Sequence, residues 1–169
     1  MHLNTFIFII YNMGGPTEKK KDRPNANSGN GKPRLPEPKT DLTRRHGKVL
    51  FVDDEEAMVL LHKRMIERRE SNVSVSIATS GKEALKILSK EDIGLVVIDY
   101  NMKGESGIDL ICKIKELYPE IKTILHTTDV MTAEEDAKKK GLADLEILFK
   151  SPSTIGEFYQ RVLDILQND

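Results

Sequence analysis

Five short apolar segments alternate with five helical patterns from residue 48 onward, and this alternation restricts the possible folds more than any other feature. A strand that returns to the same sheet through a helix lies parallel to its predecessor, and the helices cover both faces. The sequence therefore predicts an α/β fold, a doubly wound five-stranded parallel sheet with five helices. The predicted strands are 49–53, 73–79, 95–99, 123–127 and 146–150, and the predicted helices are 55–69, 81–90, 106–118, 132–140 and 153–167.

Apolar spacing also predicts which side of each element is buried. Met58, Leu61 and Met65 recur at helical spacing in the first helix, which predicts that they face the core. The segment 73–79 alternates apolar and polar residues, which favours a strand near the edge of the sheet.

Residues 1–46 differ in composition from the rest of the chain. Residues 14–46 are rich in Pro, Gly, Asn and Lys and nearly lack apolar residues, as is typical of unfolded segments. The apolar stretch 3–13 is shorter than the roughly 18–20 residues that span a bilayer, and it lacks the features of a secretion signal. We therefore expect a disordered leader over 1–46, one domain over 47–169, no membrane partner and a cytoplasmic location.

The charge is divided unevenly along the chain. Residues 1–48 carry ten Lys and Arg against four Asp and Glu, whereas residues 49–169 carry 16 against 23. An acidic domain repels the phosphate backbone of DNA or RNA, so no nucleic-acid partner is expected. The single cysteine, Cys112, excludes an intramolecular disulfide and fits a reducing compartment.

Polar residues that could carry chemistry stand at the ends of the predicted strands. Asp53 and Asp54 end the first strand, Asp99 the third, Thr127 the fourth and Lys150 the fifth. Carboxyl ends of parallel strands meet at one edge, where three carboxylates repel one another or require a cation. Oxygen ligands alone favour Mg²⁺. An aspartate beside Mg²⁺, a hydroxyl and an ammonium group is suited to phosphoryl transfer, with Asp99 as the nucleophile.

Each of these residues also has a simpler interpretation. An aspartate at a strand end can cap a helix, Thr127 can be an ordinary strand residue, and Lys150 can be solvated. His126 lies within a strand and is expected to be a packed or surface side chain rather than a phosphoacceptor.

From about Lys48 onward the chain resembles the receiver domain of two-component response regulators. The motifs that carry the resemblance are the acidic pair in VDDEE, Asp99 in VVIDYNM, Gly107 after it, the hydroxyl in ILHTT and Lys150 in LFK. The resemblance implies a flavodoxin-like sheet of strand order 2-1-3-4-5 and phosphorylation of Asp99 by a partner histidine kinase or phosphotransfer protein. It also implies site roles: Asp54, Asp99 and the backbone carbonyl of Asn101 would bind Mg²⁺ directly, Asp53 through water, while Thr127 and Lys150 would contact the phosphoryl group.

The chain departs from the family pattern at several positions. Lys103 replaces a usual proline, and Ile147 stands where an aromatic switch residue is usual, which leaves the ordinary switch in doubt. The usual Lys-Pro pair becomes Lys150-Ser151-Pro152. Because a cis bond before a residue other than proline costs about 2.5–4 kcal/mol, we expect a trans Lys150–Ser151 bond with Lys150 still reaching the site.

Three other functions are compatible with parts of this pattern. A haloacid-dehalogenase-type phosphatase needs a second aspartate two residues after Asp99, and Asn101 stands there. A dinucleotide-binding domain needs a glycine-rich turn after the first strand, where this chain has an acidic run. An interaction module that keeps the fold without being phosphorylated remains open.

The expected output is contact with other proteins. No effector domain is expected after the final helix, so the chain is predicted to be a signalling module rather than an enzyme. Its downstream target is expected to bind the face formed by the fourth helix, the fifth strand and the fifth helix, and a phosphorylation-dependent dimer is compatible with this arrangement.

Overall fold

A computed structural model describes residues 47–167, and the leader expected over 1–46 lies outside them. The described chain forms one five-stranded sheet of order 2-1-3-4-5 in which every neighbouring pair is parallel, which confirms the predicted fold and the edge position of the second strand. None of the described helices is long and apolar enough to cross a membrane. The elements are β1 Lys48–Val52, α1 Glu56–Arg69, β2 Ser74–Ala78, α2 Gly81–Leu88, β3 Leu95–Asp99, α3 Gly107–Leu117, β4 Lys122–Thr127, α4 Val130–Lys139, β5 Glu146–Phe149 and α5 Ile155–Gln167.

Two helix starts differ from the prediction by two residues. Helix α4 begins at Val130 rather than at 132, because Asp129 acts as its N-cap and accepts a hydrogen bond from the backbone N–H of Thr132, 3.1 Å away. Helix α5 begins at Ile155 rather than at 153, after a turn in which the hydroxyl of Thr154 donates to the backbone oxygen of Phe149.

Alternating strand residues build two cores, one on each face of the sheet. Leu50, Val96 and Leu125 face helices α2, α3 and α4, while their strand neighbours face α1 and α5. This division follows from the two-residue period of a strand. Strands β1 and β3 are apolar between their ends on both faces, so only their ends carry polar side chains.

The predicted core-facing residues of α1 are wrong for Leu61, whereas Met65 packs against the core from a half-buried position. The residues that this helix buries are Val59, His62 and Ile66, whereas Met58 and Met65 are half-buried and Leu61 is 44% exposed. The buried side contains a histidine, which a count of apolar residues does not select. The ring of His62 stacks on Phe51 with centroids 4.9 Å apart, and this packing places it in the core.

Gly107 fixes the approach of α3 to β3. Its backbone N–H donates to the backbone oxygen of Tyr100, and a Cβ atom here would collide with the backbone oxygen of Asp99. We expect Gly107→Ala to lower the free energy of unfolding by about 1–3 kcal/mol, the usual cost of forcing a methyl group into packed structure.

The matched control for Gly107→Ala is Gly156→Ala. Gly156 lies in α5 with nothing within 4 Å of an added Cβ, so alanine there should stabilise the protein by up to about 1 kcal/mol. Urea unfolding of both variants at pH 7 is the measurement. An equal change in unfolding free energy in Gly107→Ala and Gly156→Ala would contradict the steric explanation.

Candidate functional site

Three carboxylates meet at the carboxyl edge of the sheet. Strands β1 and β3 are neighbours with Val52 paired to Ile98, so Asp53 directly after β1 lies beside Asp99 at the end of β3. Asp53, Asp54 and Asp99 each place an oxygen within 4.8 Å of the others. Such an all-oxygen group fits a hard divalent cation, because three close negative charges otherwise repel one another.

Lys150 joins two of these carboxylates. Its Nζ donates to Asp53 Oδ2 at 2.7 Å and to Asp99 Oδ1 at 2.9 Å, and only 20% of its side chain is exposed. The backbone N–H of Lys150 donates to the backbone oxygen of Thr127 at 2.6 Å, which holds the residue beside the end of β4. No peptide bond among the described residues is cis, so the expected trans Lys150–Ser151 bond is confirmed. Lys150 therefore reaches the carboxylates without the usual proline after it.

Burial and neighbouring charges shift the pKa values of Asp99 and Lys150 in opposite directions. Burial raises the pKa of Asp99 above its ordinary value, and the hydrogen bond and charge of Lys150 reduce that rise without cancelling it. For Lys150, burial by itself lowers the pKa, but hydrogen bonds to Asp53 and Asp99 outweigh burial and leave its pKa raised. Lys150 therefore stays protonated at neutral pH, and the ionised form of Asp99 is costly to hold in this site.

Backbone donors fix the orientation of two carboxylates. The N–H of Glu55 donates to Asp53 Oδ1 at 2.9 Å, and the N–H of Asn101 donates to Asp99 Oδ2 at 3.0 Å. Each carboxylate thus receives one backbone donor and one bond from Lys150. This arrangement preorganises both groups on rigid strand ends.

Lys103 contacts the site, which the sequence did not predict. Its Nζ lies 3.4 Å from Asp54 Oδ2, although 92% of its side chain is exposed. An exposed pair of this kind contributes little to stability. The ammonium group nevertheless places a positive charge beside the carboxylate of Asp54. The only feature of the sequence that could have indicated this contact is the position of Lys103, four residues after Asp99.

The two predicted switch positions, Thr127 and Ile147, belong to the face of the sheet that α2, α3 and α4 cover. Thr127 ends β4 and is buried, and its hydroxyl oxygen accepts a hydrogen bond from the backbone N–H of Asp129 at 3.0 Å. Ile147 is half-buried, pairs with Leu125 in the sheet and borders a groove of about 230 Å³ between α4 and β5. Thr127 is therefore placed next to Lys150, whereas an aliphatic side chain fills the position of the usual aromatic.

Two buried histidines lie under the carboxylates. His62 and His126 are 2% and 3% exposed, with ring centroids 5.5 Å apart. His62 Nδ1 and the Tyr159 hydroxyl are 3.1 Å apart and share a hydrogen bond. Of the two positions that the sequence allows for His126, packed or at the surface, the structure shows the packed one. Its spacing two residues after Ile124 places it on the same face of β4, and this was the available signal for burial.

Comparison with known proteins shows which family the chain belongs to. The response regulator receiver domain family matches residues 49–153, so the chain belongs to that family. The prediction from the strand-end motifs is confirmed at this level.

Individual relatives are similar over the same region. The response regulator SaeR of Staphylococcus epidermidis is 31% identical over 118 residues, which are 70% of this chain and 49% of SaeR. The crystal structure of the response regulator TrrA from Thermotoga maritima, in complex with Mg(2+)-BeF, has a TM-score of 0.60 and 27% identity and covers 70% of this chain and 97% of TrrA. A response regulator structure from Burkholderia pseudomallei with a phosphorylated aspartic acid has a TM-score of 0.57 and 25% identity, covering 71% and 66%.

The similarity to these relatives covers only part of their length. The chain spans about half the length of the curated relatives it matches first. The shared part is the receiver domain, and what the remaining half of those relatives does is a property of those proteins.

Proposed function

We propose that this chain is a phosphoacceptor signalling protein of a two-component phosphorelay, phosphorylated on Asp99 by a partner histidine kinase or phosphotransfer protein in a Mg²⁺-dependent reaction. The observation that carries the proposal is the double contact of Lys150 with Asp53 and Asp99 inside a group of three carboxylates. A solvated lysine or a simple helix cap would not bring these groups together at one edge of the sheet.

Asp99 is the nucleophile in the proposed reaction. One of its carboxylate oxygens forms a bond to phosphorus while the bond between phosphorus and the donor's histidine nitrogen breaks and its electron pair returns to the imidazole. Lys150 is already within hydrogen-bond distance of Asp99 and supplies positive charge where the phosphoryl oxygens arrive. Thr127 contributes a hydroxyl from the neighbouring strand end.

The carboxylates fit Mg²⁺ in their chemistry. By the resemblance to receivers, Asp54, Asp99 and the backbone carbonyl of Asn101 would be direct ligands, and Asp53 would act through water. When bound, the cation neutralises charge on the attacking and transferring oxygens. The proposed cofactor therefore explains why three costly carboxylates are placed together.

The proposed output is protein contact through the face formed by α4, β5 and α5, with a phosphorylation-dependent dimer as one form of it. The expectation of no nucleic-acid contact stays a prediction, since one relative, CitT of Bacillus subtilis, is named a transcriptional regulatory protein. The cytoplasmic location and the absence of enzymatic activity also stay predictions.

Two variants that should change the Mg²⁺ affinity in opposite directions test the proposal. We expect Asp54→Asn to weaken Mg²⁺ binding by about tenfold or more, because it removes one charged ligand. We expect Lys103→Met to strengthen binding about two- to fivefold, the size of an exposed ion-pair contribution, because it removes a cation 3.4 Å from Asp54. NMR titration with Mg²⁺ measures both, and labelling by acetyl phosphate should slow in Asp54→Asn.

Two results of this titration would count against the proposal. Mg²⁺ affinity that is unchanged in Asp54→Asn would remove Asp54 from the site. A wild-type chain that binds Mg²⁺ but accepts no phosphoryl group would favour the interaction module that is never phosphorylated.

A further inference from the structure

His126 lies at the same level of the sheet as Asp99. The two residues are paired in register between β3 and β4, and Val97 and Ile124, two residues earlier in each strand, share the core that α1 and α5 cover. Because strand side chains repeat every two residues, Asp99 and His126 project from the same face of the sheet as neighbours.

The imidazole of His126 is buried without a full set of partners. Its ring stacks on Phe158 with centroids 4.0 Å apart and planes inclined by 6°. Its Nε2 is buried and has no hydrogen-bond partner among the described residues. An apolar side chain would satisfy the stacking and avoid the cost of burying an unpaired nitrogen. The packing alone therefore does not explain a histidine at this position.

A cavity connects this histidine with the carboxylates. It has a volume of about 10 Å³ and its lining includes Asp53, His62, Asp99 and His126. That volume corresponds to a single water molecule, and a buried water needs two to four polar partners, which these residues supply. The cavity thus has room for about one water among His126 and the carboxylates. Its remaining lining is apolar and consists of Phe51, Val52 and Val97.

The buried histidine is a neutral donor rather than a cation. Burial, together with the nearby His62 and Lys150, lowers the pKa of His126 to about 3. A neutral imidazole carries one N–H and one acceptor nitrogen. With its hydrogen on Nε2, the neutral ring offers a donor from the buried nitrogen that has no partner among the described residues.

We propose that His126 is a positioning residue for Asp99: its Nε2–H donates to a water held in this cavity, and that water donates to the Asp99 carboxylate. The inference rests on the proposed function, because its consequence concerns the phosphorylated state. The hydrogen bond is stronger to the full charge of a carboxylate than to the neutral carbonyl of an acyl phosphate. His126 therefore favours unphosphorylated Asp99 and shortens the lifetime of the phosphoryl group.

Hydrolysis is the step that this contact accelerates. A solvent water forms a bond to phosphorus, the bond between phosphorus and the Asp99 oxygen breaks, and its electron pair stays on Asp99 as a carboxylate. Inorganic phosphate leaves and the proton of the attacking water passes to solvent or phosphate. Negative charge grows on Asp99 during this step, so a donor aimed at its carboxylate lowers the barrier.

The test compares the lifetime of the label in three variants. The protein is labelled with acetyl phosphate and Mg²⁺, the donor is removed, and the labelled fraction is followed by intact mass. We expect His126→Leu to lengthen the lifetime about three- to tenfold, the effect of losing one hydrogen bond of ordinary net strength to the bridging water. His126→Gln keeps a side-chain N–H and should restore much of the wild-type lifetime. Tyr118→Phe removes a half-buried hydroxyl at the end of α3, which packs on the other face of the sheet, and should leave the lifetime unchanged.

A second measurement does not depend on phosphorylation. Long-range ¹H–¹⁵N spectra of the full chain report which ring nitrogen of His126 carries hydrogen, and we expect the Nε2–H form. The Nδ1–H form, a wild-type lifetime in His126→Leu, or equal lengthening in His126→Gln or Tyr118→Phe would overturn the inference while leaving the proposed function intact. A wild-type chain that takes no label would overturn the proposed function, and with it the claim about lifetime.

Discussion

Replacing Lys150 by methionine is expected to destabilise the folded protein strongly when no divalent cation is present. Lys150 pairs with Asp53 and Asp99, whose side chains are only 7% and 12% exposed. Without the ammonium group both carboxylates remain buried and uncompensated. We expect a loss of about 2–4 kcal/mol in unfolding free energy, somewhat below the full cost of breaking a buried pair because Lys150 keeps a fifth of its side chain in solvent.

The pH dependence of this loss has a definite sign. The pKa of Asp99 is already raised by burial, and removal of Lys150 raises it further. A carboxyl group whose pKa is higher in the folded than in the unfolded state adds stability at low pH and loses it as pH rises through the folded pKa. The deficit of Lys150→Met should therefore shrink as the pH falls and Asp99 becomes protonated.

Chemical unfolding in EDTA from pH 7 to pH 4 measures this expectation, with Lys150→Arg as the control that keeps the charge. The arginine variant should retain most of the stability, although its larger planar group fits the site differently. Added Mg²⁺ should recover part of the loss in Lys150→Met. Equal stability of Lys150→Met and wild type at pH 7 in EDTA would show that the contacts of Lys150 do not compensate the carboxylates.

The sheet and the location of the site were accessible from the sequence because their signals are local. A buried parallel strand requires an apolar run, and a polar residue at its carboxyl end, such as Asp99, has only the sheet edge to occupy. The parallel connections then bring together residues that are 97 positions apart, as in Asp53 and Lys150. The strand order itself came from the resemblance to receivers and is confirmed in the structure.

What the sequence did not predict depends on packing between distant elements. The inner side of α1 includes His62 because Phe51 and Tyr159 surround it, and these partners come from β1 and α5. The contact between Lys103 and Asp54 depends on the path of the loop after β3. No helical or strand period encodes either arrangement.

The two faces of the site differ in a way that bears on signalling. On the face of Thr127, an aliphatic Ile147 borders a groove instead of an aromatic ring. On the opposite face, aromatic rings and two histidines pack between Asp99 and α5. We expect Thr127→Ala to leave labelling of Asp99 largely intact while it reduces the conformational response, since Thr127 is proposed to contact the phosphoryl group rather than to form it.

Asp99→Asn is expected to abolish phosphorylation, which is the largest effect on activity that we predict. An amide is not a competent nucleophile toward phosphorus, so the covalent step has no acceptor. The variant should stay folded. At pH 7 without Mg²⁺ it should be more stable than wild type, because the ionised form of Asp99 is costly in this buried site. Loss of label together with retained stability separates a chemical role from a structural one.

The most direct test of Mg²⁺-dependent phosphorylation on Asp99 is the intact mass of wild-type protein and of Asp99→Asn. Both are incubated with acetyl phosphate, with and without Mg²⁺. We predict a gain of one phosphoryl group in the wild-type chain, only with Mg²⁺, and no gain in the variant. A gain that persists in Asp99→Asn would place the acceptor elsewhere. Absence of any gain in the wild-type chain with Mg²⁺ and excess donor would contradict the proposed phosphoacceptor function.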